Sequence, residues 1–261
     1  MKSKIREKQW LKRLFWILSF GLIWQMITFF KWANPALFPP LSQIFDSLSQ
    51  SLQSGEMFQA TLLSLKLILG GLIIGTLAAL LLAGLSMISK FGQSFTDTIT
   101  AIAHPLPGVA LLPVIILWMG TGSEAILFII VHSVLWPMAL NLLAGFRAIP
   151  AIYREVGRNI GLNPFQSTVL IMVPASLPYL LAGLKIGWAR AWRALISAEM
   201  IFGAAGGEGG LGWFIFKKRV FMDTPGIYAG ILVVVLIGIL VEDVFFQQVE
   251  RLTVKKWGMS N

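Results

Sequence analysis

Lys185, Arg190, Arg193 and Glu199 lie in one long apolar stretch, and His104 and His132 lie beside or inside two others. Guanidinium and ammonium groups attract anions, an imidazole accepts or donates a proton, and a carboxylate pairs with a cation or guards a passage. Polar side chains inside a membrane-length apolar helix face protein or a water-filled cavity. Pro107 and Pro113 join them as candidate pathway residues, because proline frees carbonyls that neighbours or water must then satisfy. Other chemistries lack their residues. The chain has no cysteine, no His-Glu-x-x-His, no nucleophile elbow and no carboxylate pair at helical spacing. Neither catalytic residues nor a metal site are expected. GAAGGEGGLGW, residues 203–213, has six glycines in eleven residues. It lacks the Gly-Lys-Ser/Thr ending and the preceding strand of a phosphate loop, and reads as a flexible external re-entrant loop.

What must position these groups is a chain built for lipid. Of 261 residues, 56% are hydrophobic and 13% charged, against about 25% charged in soluble domains. Apolar runs at Leu14–Phe30, Leu62–Ile88, Pro105–Met119, Ala125–Phe146, Thr168–Ile186 and Ile227–Val241 reach or approach the roughly 20 helical residues that cross a bilayer core. The expected fold is all-α, a polytopic membrane bundle of about six transmembrane helices. The first run is long, rich in aromatics and without a small-x-small cleavage site, so it reads as a retained helix.

The net charge of +9 does not point to nucleic acid, because the cations collect beside the runs. Lys2, Lys4, Arg6, Lys8, Lys12 and Arg13 precede the first, Arg147, Arg154 and Arg158 follow the fourth, and Arg251, Lys255 and Lys256 follow the last. The positive-inside rule then places both termini, and the loops holding Lys90 and Arg154, in the cytoplasm. Lys217, Lys218 and Arg219 fall on the outer side and break the pattern; a segment folded back to the interface would accommodate them.

Three parts are expected: residues 1–54 with a peripheral first helix and an external loop, a membrane core over 55–250, and a basic tail over 251–261. A short amphipathic helix fits near Ile44–Leu52. Gly71, Gly75, Ala79 and Ala83 recur every four residues and form a packing stripe. Ser123 is a possible N-cap of the fourth helix. The helical pattern from Ser167 to Phe202 runs 36 residues, about 54 Å, so it must break, tilt or leave the bilayer. Trp188, Trp192, Lys185, Arg190 and Arg193 cluster where a span begun near Ser167 would end. They read either as interfacial anchors or as cations on a central path, with Glu199 as a partner of Arg193 or a gate. His132 reads either as a packing residue or as part of that path.

One polar interruption remains, EVGRNIGLNPFQSTVLIMVP, residues 155–174. Pro150 to Gly161 reads as a short helix, with Pro150 in its first turn and Gly161 ending it. Ile152, Val156 and Ile160 form an apolar stripe opposite Arg154 and Arg158. Such a helix is buried either by a partner's groove or by lying flat on lipid.

This stretch resembles the cytoplasmic loop of type 1 ABC importer permeases, Glu-Ala-Ala, three residues, Gly, nine residues, Ile-x-Leu-Pro. Here Glu155-Val156-Gly157, three residues, Gly161 and nine residues lead to Ile171-Met172-Val173-Pro174. HPLPGVALLPVIILWMGTG, PASLPYLLAGLKIGWARAW and ISAEM are similar to the nitrate, sulfonate and taurine subfamily, with His104 in place of its usual Arg and Met119 of its Phe. The resemblance spans about 55–250. It implies a homodimer in membrane lipid, two cytoplasmic ATPase subunits that carry the ATP and Mg, and an external substrate-binding protein. No cofactor is expected in this chain. Within a coupling loop at 147–166, a helix at about Ala151–Gly161, with Tyr153, Arg154, Glu155, Val156 and Gly157 on it, would dock the ATPase. Glu155 and Gly161 would set its shape, and Ile171 and Pro174 would anchor it. The substrate would be a small anion of the sulfonate, taurine or nitrate class. The alternatives are a heterocyclic vitamin precursor or a secondary transporter driven by an ion gradient; the latter should show coupling carboxylates and matched broken repeats.

Overall fold

The computed structural model describes residues 2–203 and 209–256, with side chains other than those of residues 2–10, Arg154 and Lys255. All regular structure among these residues is helical. The order is α1 (Lys2–Phe29), α2 (Leu41–Gln53), α3 (Glu56–Ile88), α4 (Lys90–Ala103), a 3₁₀ turn (Gly108–Leu111), α5 (Leu112–Met119), α6 (Ser123–Ala148) and α7 (Ala151–Asn159). Then come α8 (Pro164–Ser167), a π turn (Thr168–Met172), α9 (Val173–Ala175), α10 (Leu177–Phe202), α11 (Leu211–Val220), α12 (Thr224–Ile239), a π turn (Leu240–Phe245), α13 (Phe246–Glu250) and a last π turn (Arg251–Lys255).

The centre is α6, packed against α3 on one side and α10 on another. The small-residue stripe makes the first contact possible. Gly71, Gly75, Ala79 and Ala83 are all buried, and a Cβ at Gly75 would stand 2.8 Å from Val134 Cβ. In lipid, close approach of this kind supplies the association that water-driven burial supplies elsewhere. One apolar cluster joins Ile68, Ile126, Ile130, Trp188 and Leu195, and a second joins Ala83, Met138, Leu142 and Phe146.

α3, α6 and Thr224–Val254 are each long and apolar enough to cross a membrane, and two bent pairs raise the number of candidate spans to five. α1 is not among them: Lys12, Arg13 and Gln25 dilute its apolar surface, although Phe15, Trp16, Phe20 and Phe29 are exposed along it. α1 is tied on at both ends. Trp24 stacks on Phe38 at 3.7 Å and donates to the Pro39 carbonyl, while Arg13 meets Asp243 at 2.6 Å.

Four details differ from the sequence reading. The loop expected around Lys90 is a helix, α4. Its buried stripe is Gly92, Thr96 and Thr100, which carries no apolar period; Ser89 caps it through Gly92 N–H, and Thr96 donates to the Leu82 carbonyl. The crossing expected at Pro105–Met119 is half of a pair bent by 84° after α4. The crossing expected at Thr168–Ile186 is displaced: Pro164–Ala175 bends by 74° into α10, which is the long helix. The basic and aromatic residues on α10 therefore lie in its middle rather than at its end. Finally, α6 is preceded by Gly122 without a side-chain cap, and Ser123 is its first residue. Residues 204–208 of the expected glycine loop and 257–261 of the expected tail lie outside the described residues.

Candidate functional site

The basic residues of α10 meet the α4–α5 break and the middle of α6 around a cavity of about 510 Å³. Its walls bring together His104, Pro107, His132, Arg190 and Arg193, with Ser133, Trp136 and Ser197. Arg190, Arg193 and Ser197 share one face of α10, at i, i+3 and i+7. Arg190 Nη1 lies 3.3 Å from His104 Nε2, and Arg193 Nε donates to the Ala189 carbonyl at 2.9 Å. Among the described residues, no carboxylate lines the cavity. His132 lies edge-on to Trp136, with ring centres 5.9 Å apart, and its Nδ1 is buried without a partner, as is Trp136 Nε1. The lining is a set of hydrogen-bond donors and cations, which suits a small anion. Trp136 shares the polar stretch of the fourth apolar run with His132, whereas Ser133 and Ser197 were not singled out from sequence, although Ser197 sits one turn beyond Arg193.

Pro113, Lys185 and Glu199 do not line this cavity. Pro113 and Lys185 are exposed. Glu199 is 1% exposed and makes no pair with Arg193. Ser64 donates to its two oxygens at 2.7 and 2.9 Å, and Gly212 N–H donates to Oε2 at 2.8 Å. Ser64 Oγ also accepts from Leu211 N–H at 2.9 Å. These are first-turn N–H groups of α11, which lack partners in their own helix and favour negative charge. Glu199 thus fastens α11 to α3 and α10. It holds structure together there, where the sequence reading offered a partner for Arg193 or a gate.

At the opposite end of α6, α7 stands free. Ile152, Val156 and Ile160 are 58%, 47% and 67% exposed, and Tyr153 and Glu155 are exposed beside them. The side chain of Arg154 lies outside the described residues. α7 ends two residues before Gly161, in a Schellman turn: Gly161 N–H donates to the Arg158 carbonyl and Leu162 N–H to that of Gly157. Gly161 has φ +79°, a conformation that glycine takes without steric cost. Asn163 then starts α8 with a capping box, accepting from Gln166 N–H while Gln166 Oε1 accepts from Asn163 N–H. Gly157 is the buried residue of α7; a Cβ there would stand 2.9 Å from Ile171 Cδ1 and 3.3 Å from Ser167 Oγ. The π turn carries Ile171 into that contact, so Gly157, Gly161 and Ile171 fix one rigid elbow. Pro174 is exposed on α9, just before the 74° bend.

A bundle of membrane-length helices around a cationic cavity suits a transport subunit. The profile of the binding-protein-dependent transport system inner membrane component family matches residues 71–254. The chain belongs to this family. It is a transport permease of the ABC importer type, and works with ATPase and binding-protein partners. Among its relatives is a protein of Escherichia coli strain K12 provisionally assigned as an aliphatic sulfonates transport permease, 29% identical over 94% of this chain and 92% of its own length. The taurine transport system permease protein of the same organism is 26% identical over 93% of this chain and 94% of its own. The nitrate import permease protein of Synechocystis is 30% identical over 64% of this chain and 58% of its own.

Proposed function

We propose that this permease carries a small oxyanion, of the sulfonate, taurine or nitrate class, through the cavity between α4, α6 and α10. The observation that carries the reading is the lining: two guanidinium groups, two imidazoles and two hydroxyls, with no carboxylate among the described residues. The names of its relatives support the same class. In the working assembly, two copies form the pathway, each α7 seats its stripe of Ile152, Val156 and Ile160 in a groove of a separate ATPase subunit, and ATP with Mg is hydrolysed there. An external binding protein delivers the substrate, and both chain termini face the cytoplasm with α7.

The test is reconstitution. The permease is co-expressed with its ATPase and binding protein, placed in liposomes, and assayed for ATP-driven uptake of labelled taurine, ethanesulfonate, nitrate and bicarbonate. Uptake of at least one is expected, lowered strongly by Arg193→Gln. Uptake of a neutral heterocycle and of none of the anions would overturn the anion reading. Uptake that needs a proton gradient and no ATP would overturn the coupling reading.

A further inference from the structure

Where α3 ends and α4 begins, a cavity of about 400 Å³ lies against the last turn of α6. Ser86, Ser89, Lys90, Gln93, Phe146 and Arg147 line it, and no carboxylate does among the described residues. It shares no lining residue with the cavity of about 510 Å³. α3 and α6 run for 33 and 26 residues, about 50 and 39 Å, against a hydrocarbon core of roughly 30 Å. Their last turns therefore reach headgroup level, on the α7 side of the bundle.

The polar groups of this cavity are left open. Ser86 is 8% exposed, yet its hydroxyl makes no hydrogen bond among the described residues. Buried hydroxyls are ordinarily satisfied. Lys90 is exposed and meets no carboxylate among the described residues. Arg147 gives Nη2 to Asp97 at 3.0 Å, which steadies the guanidinium and leaves Nε and Nη1 for another acceptor. α4, 14 residues long, starts at the same point. Ser89 accepts Gly92 N–H with its hydroxyl and Gln93 N–H with its carbonyl, while the N–H groups of Lys90 and Phe91 have no acceptor among the described residues. Next to these donors, Leu85, Ile88, Phe91 and Phe95 are exposed.

We propose that this cavity binds the phosphodiester headgroup of an anionic phospholipid from the leaflet on the α7 side. Lys90, Arg147 and the Ser86 hydroxyl hold the phosphate oxygens, the first two through charge-assisted hydrogen bonds. The acyl chains run back along the exposed Leu77, Leu81 and Leu85 of α3, which recur every four residues on one face. A free phosphate meets the same donors but leaves Ile88 and Phe91, 60% and 82% exposed, uncovered; a lipid covers both. Basic pockets between helices at the end of a span take anionic headgroups in this way. The bound lipid braces the corner at which α3, α4 and α6 meet. Its source is the membrane, so the site stands apart from the substrate reading.

Native mass spectrometry of the permease–ATPase assembly, released from nanodiscs of equal parts phosphatidylglycerol and phosphatidylcholine, reads the retained lipid. The native assembly should keep phosphatidylglycerol over phosphatidylcholine by about fivefold or more, the scale of one basic residue's attraction to an anionic surface. Lys90→Gln should remove that preference, and Lys90→Arg should keep it. Ser86→Ala, which deletes one buried hydroxyl, should lower retained phosphatidylglycerol by about tenfold, the scale of a hydrogen bond to a charged group. Lys66→Gln, toward the other end of α3, should change neither lipid. In detergent, added phosphatidylglycerol should raise the unfolding temperature of the native assembly and leave that of Ser86→Ala where it was. Equal retention of both lipids, or of neither, by the native assembly overturns the site, as does an equal loss in Lys66→Gln and Lys90→Gln. Displacement of the lipid by millimolar inorganic phosphate would make the occupant a soluble anion and overturn the lipid assignment.

Discussion

The elbow at α7 and the junction at Glu199 are built from similar parts and put to opposite uses. Each seats a short helix against a longer one through glycines too close to accept a side chain without movement. At the Glu199 junction every polar group is turned inward, so that Ser64, Glu199 and the first N–H groups of α11 satisfy one another. At the elbow the caps are satisfied locally, and the apolar stripe of α7 is left bare. One junction closes on itself, while the other is rigid but unfinished. On the function proposed above, the closed junction would be the end of the bundle that holds and the bare stripe of α7 the surface that a partner completes.

The sharpest way to break the comparison is one substitution made at both junctions. A Cβ at Gly212 would run into the Ile196 backbone carbonyl and come within 2.7 Å of Glu199 Cβ, and neither can step aside. Gly212→Ala should cost about 3 kcal/mol or more, the upper end for overpacking. At Gly157 the obstacle is the methyl tip of Ile171, so Gly157→Ala should cost about 1 kcal/mol or less. Thermal unfolding of the purified permease–ATPase assembly in detergent reads both, and equal losses would mean that the elbow is as closed as the junction.

Glu199→Ala comes next. It leaves Gly212 N–H and the Ser64 hydroxyl without their acceptor in a buried place, for a loss of about 2–3 kcal/mol. Uptake per folded molecule should be retained, because Glu199 does not line the cavity. If stability were unchanged and uptake abolished, Glu199 would belong to the pathway after all.

The same contrast explains what the sequence could reveal. Everything that shapes the elbow, from Gly157 through Gly161 and Asn163 to Ile171, falls within fifteen residues, so the stop at Gly161 and the turn at Asn163 read locally, while Ile171 as the anchor came with the resemblance to the permease loop. The Glu199 junction joins residues 135 positions apart, and no local pattern marks Ser64 as its partner. α4 is different again: its apolar period, Phe91, Phe95, Ile99 and Ile102, stands in the sequence, but the face it packs against the bundle is Gly92, Thr96 and Thr100, while Phe91, Phe95 and Ile102 stay exposed. The α10 cluster was visible as residues but misplaced, because the continuous helical pattern across Ser176 concealed the bend. Pro178, in the first turn of α10, was the available sign of a new helix start. Its correct start puts Arg190 and Arg193 mid-helix and separates them from Lys185 and Glu199, which fall on other faces.

A smaller effect on the fold, and a large one on partnership, is expected at the elbow itself. Glu155→Lys combined with Gly161→Leu reverses an exposed charge and forces a side chain into φ +79°, at about 1–2 kcal/mol for the latter. Because the cap lies outside the bundle, unfolding should shift little. Recovery of the ATPase on co-purification should fall about tenfold or more, as when an interface anchor is lost. A variant that unfolds as Gly212→Ala does would erase the distinction between lever and closed end.

The smallest expected effect is at the ion pair between Asp97 and Arg147, which links α4 to α6 near the α7 end at 3.0 Å. Both side chains are about half exposed, at 48% and 57%, so water and salt screen them and their ordering offsets part of the attraction. Asp97→Asn should therefore cost no more than about 1 kcal/mol, and the difference should shrink as salt is raised toward 1 M, where the Debye length falls to about 3 Å. The pair lines a cavity of about 370 Å³ between α4 and α6, and a fastening there that gave way only at high cost would resist movement of α4 against α6. A loss of more than about 2 kcal/mol, insensitive to salt, would mean that this end is clamped by charge as firmly as the other is clamped by Glu199. The bundle would then have no compliant end, and the proposed use of α7 as a lever would lose the asymmetry it needs.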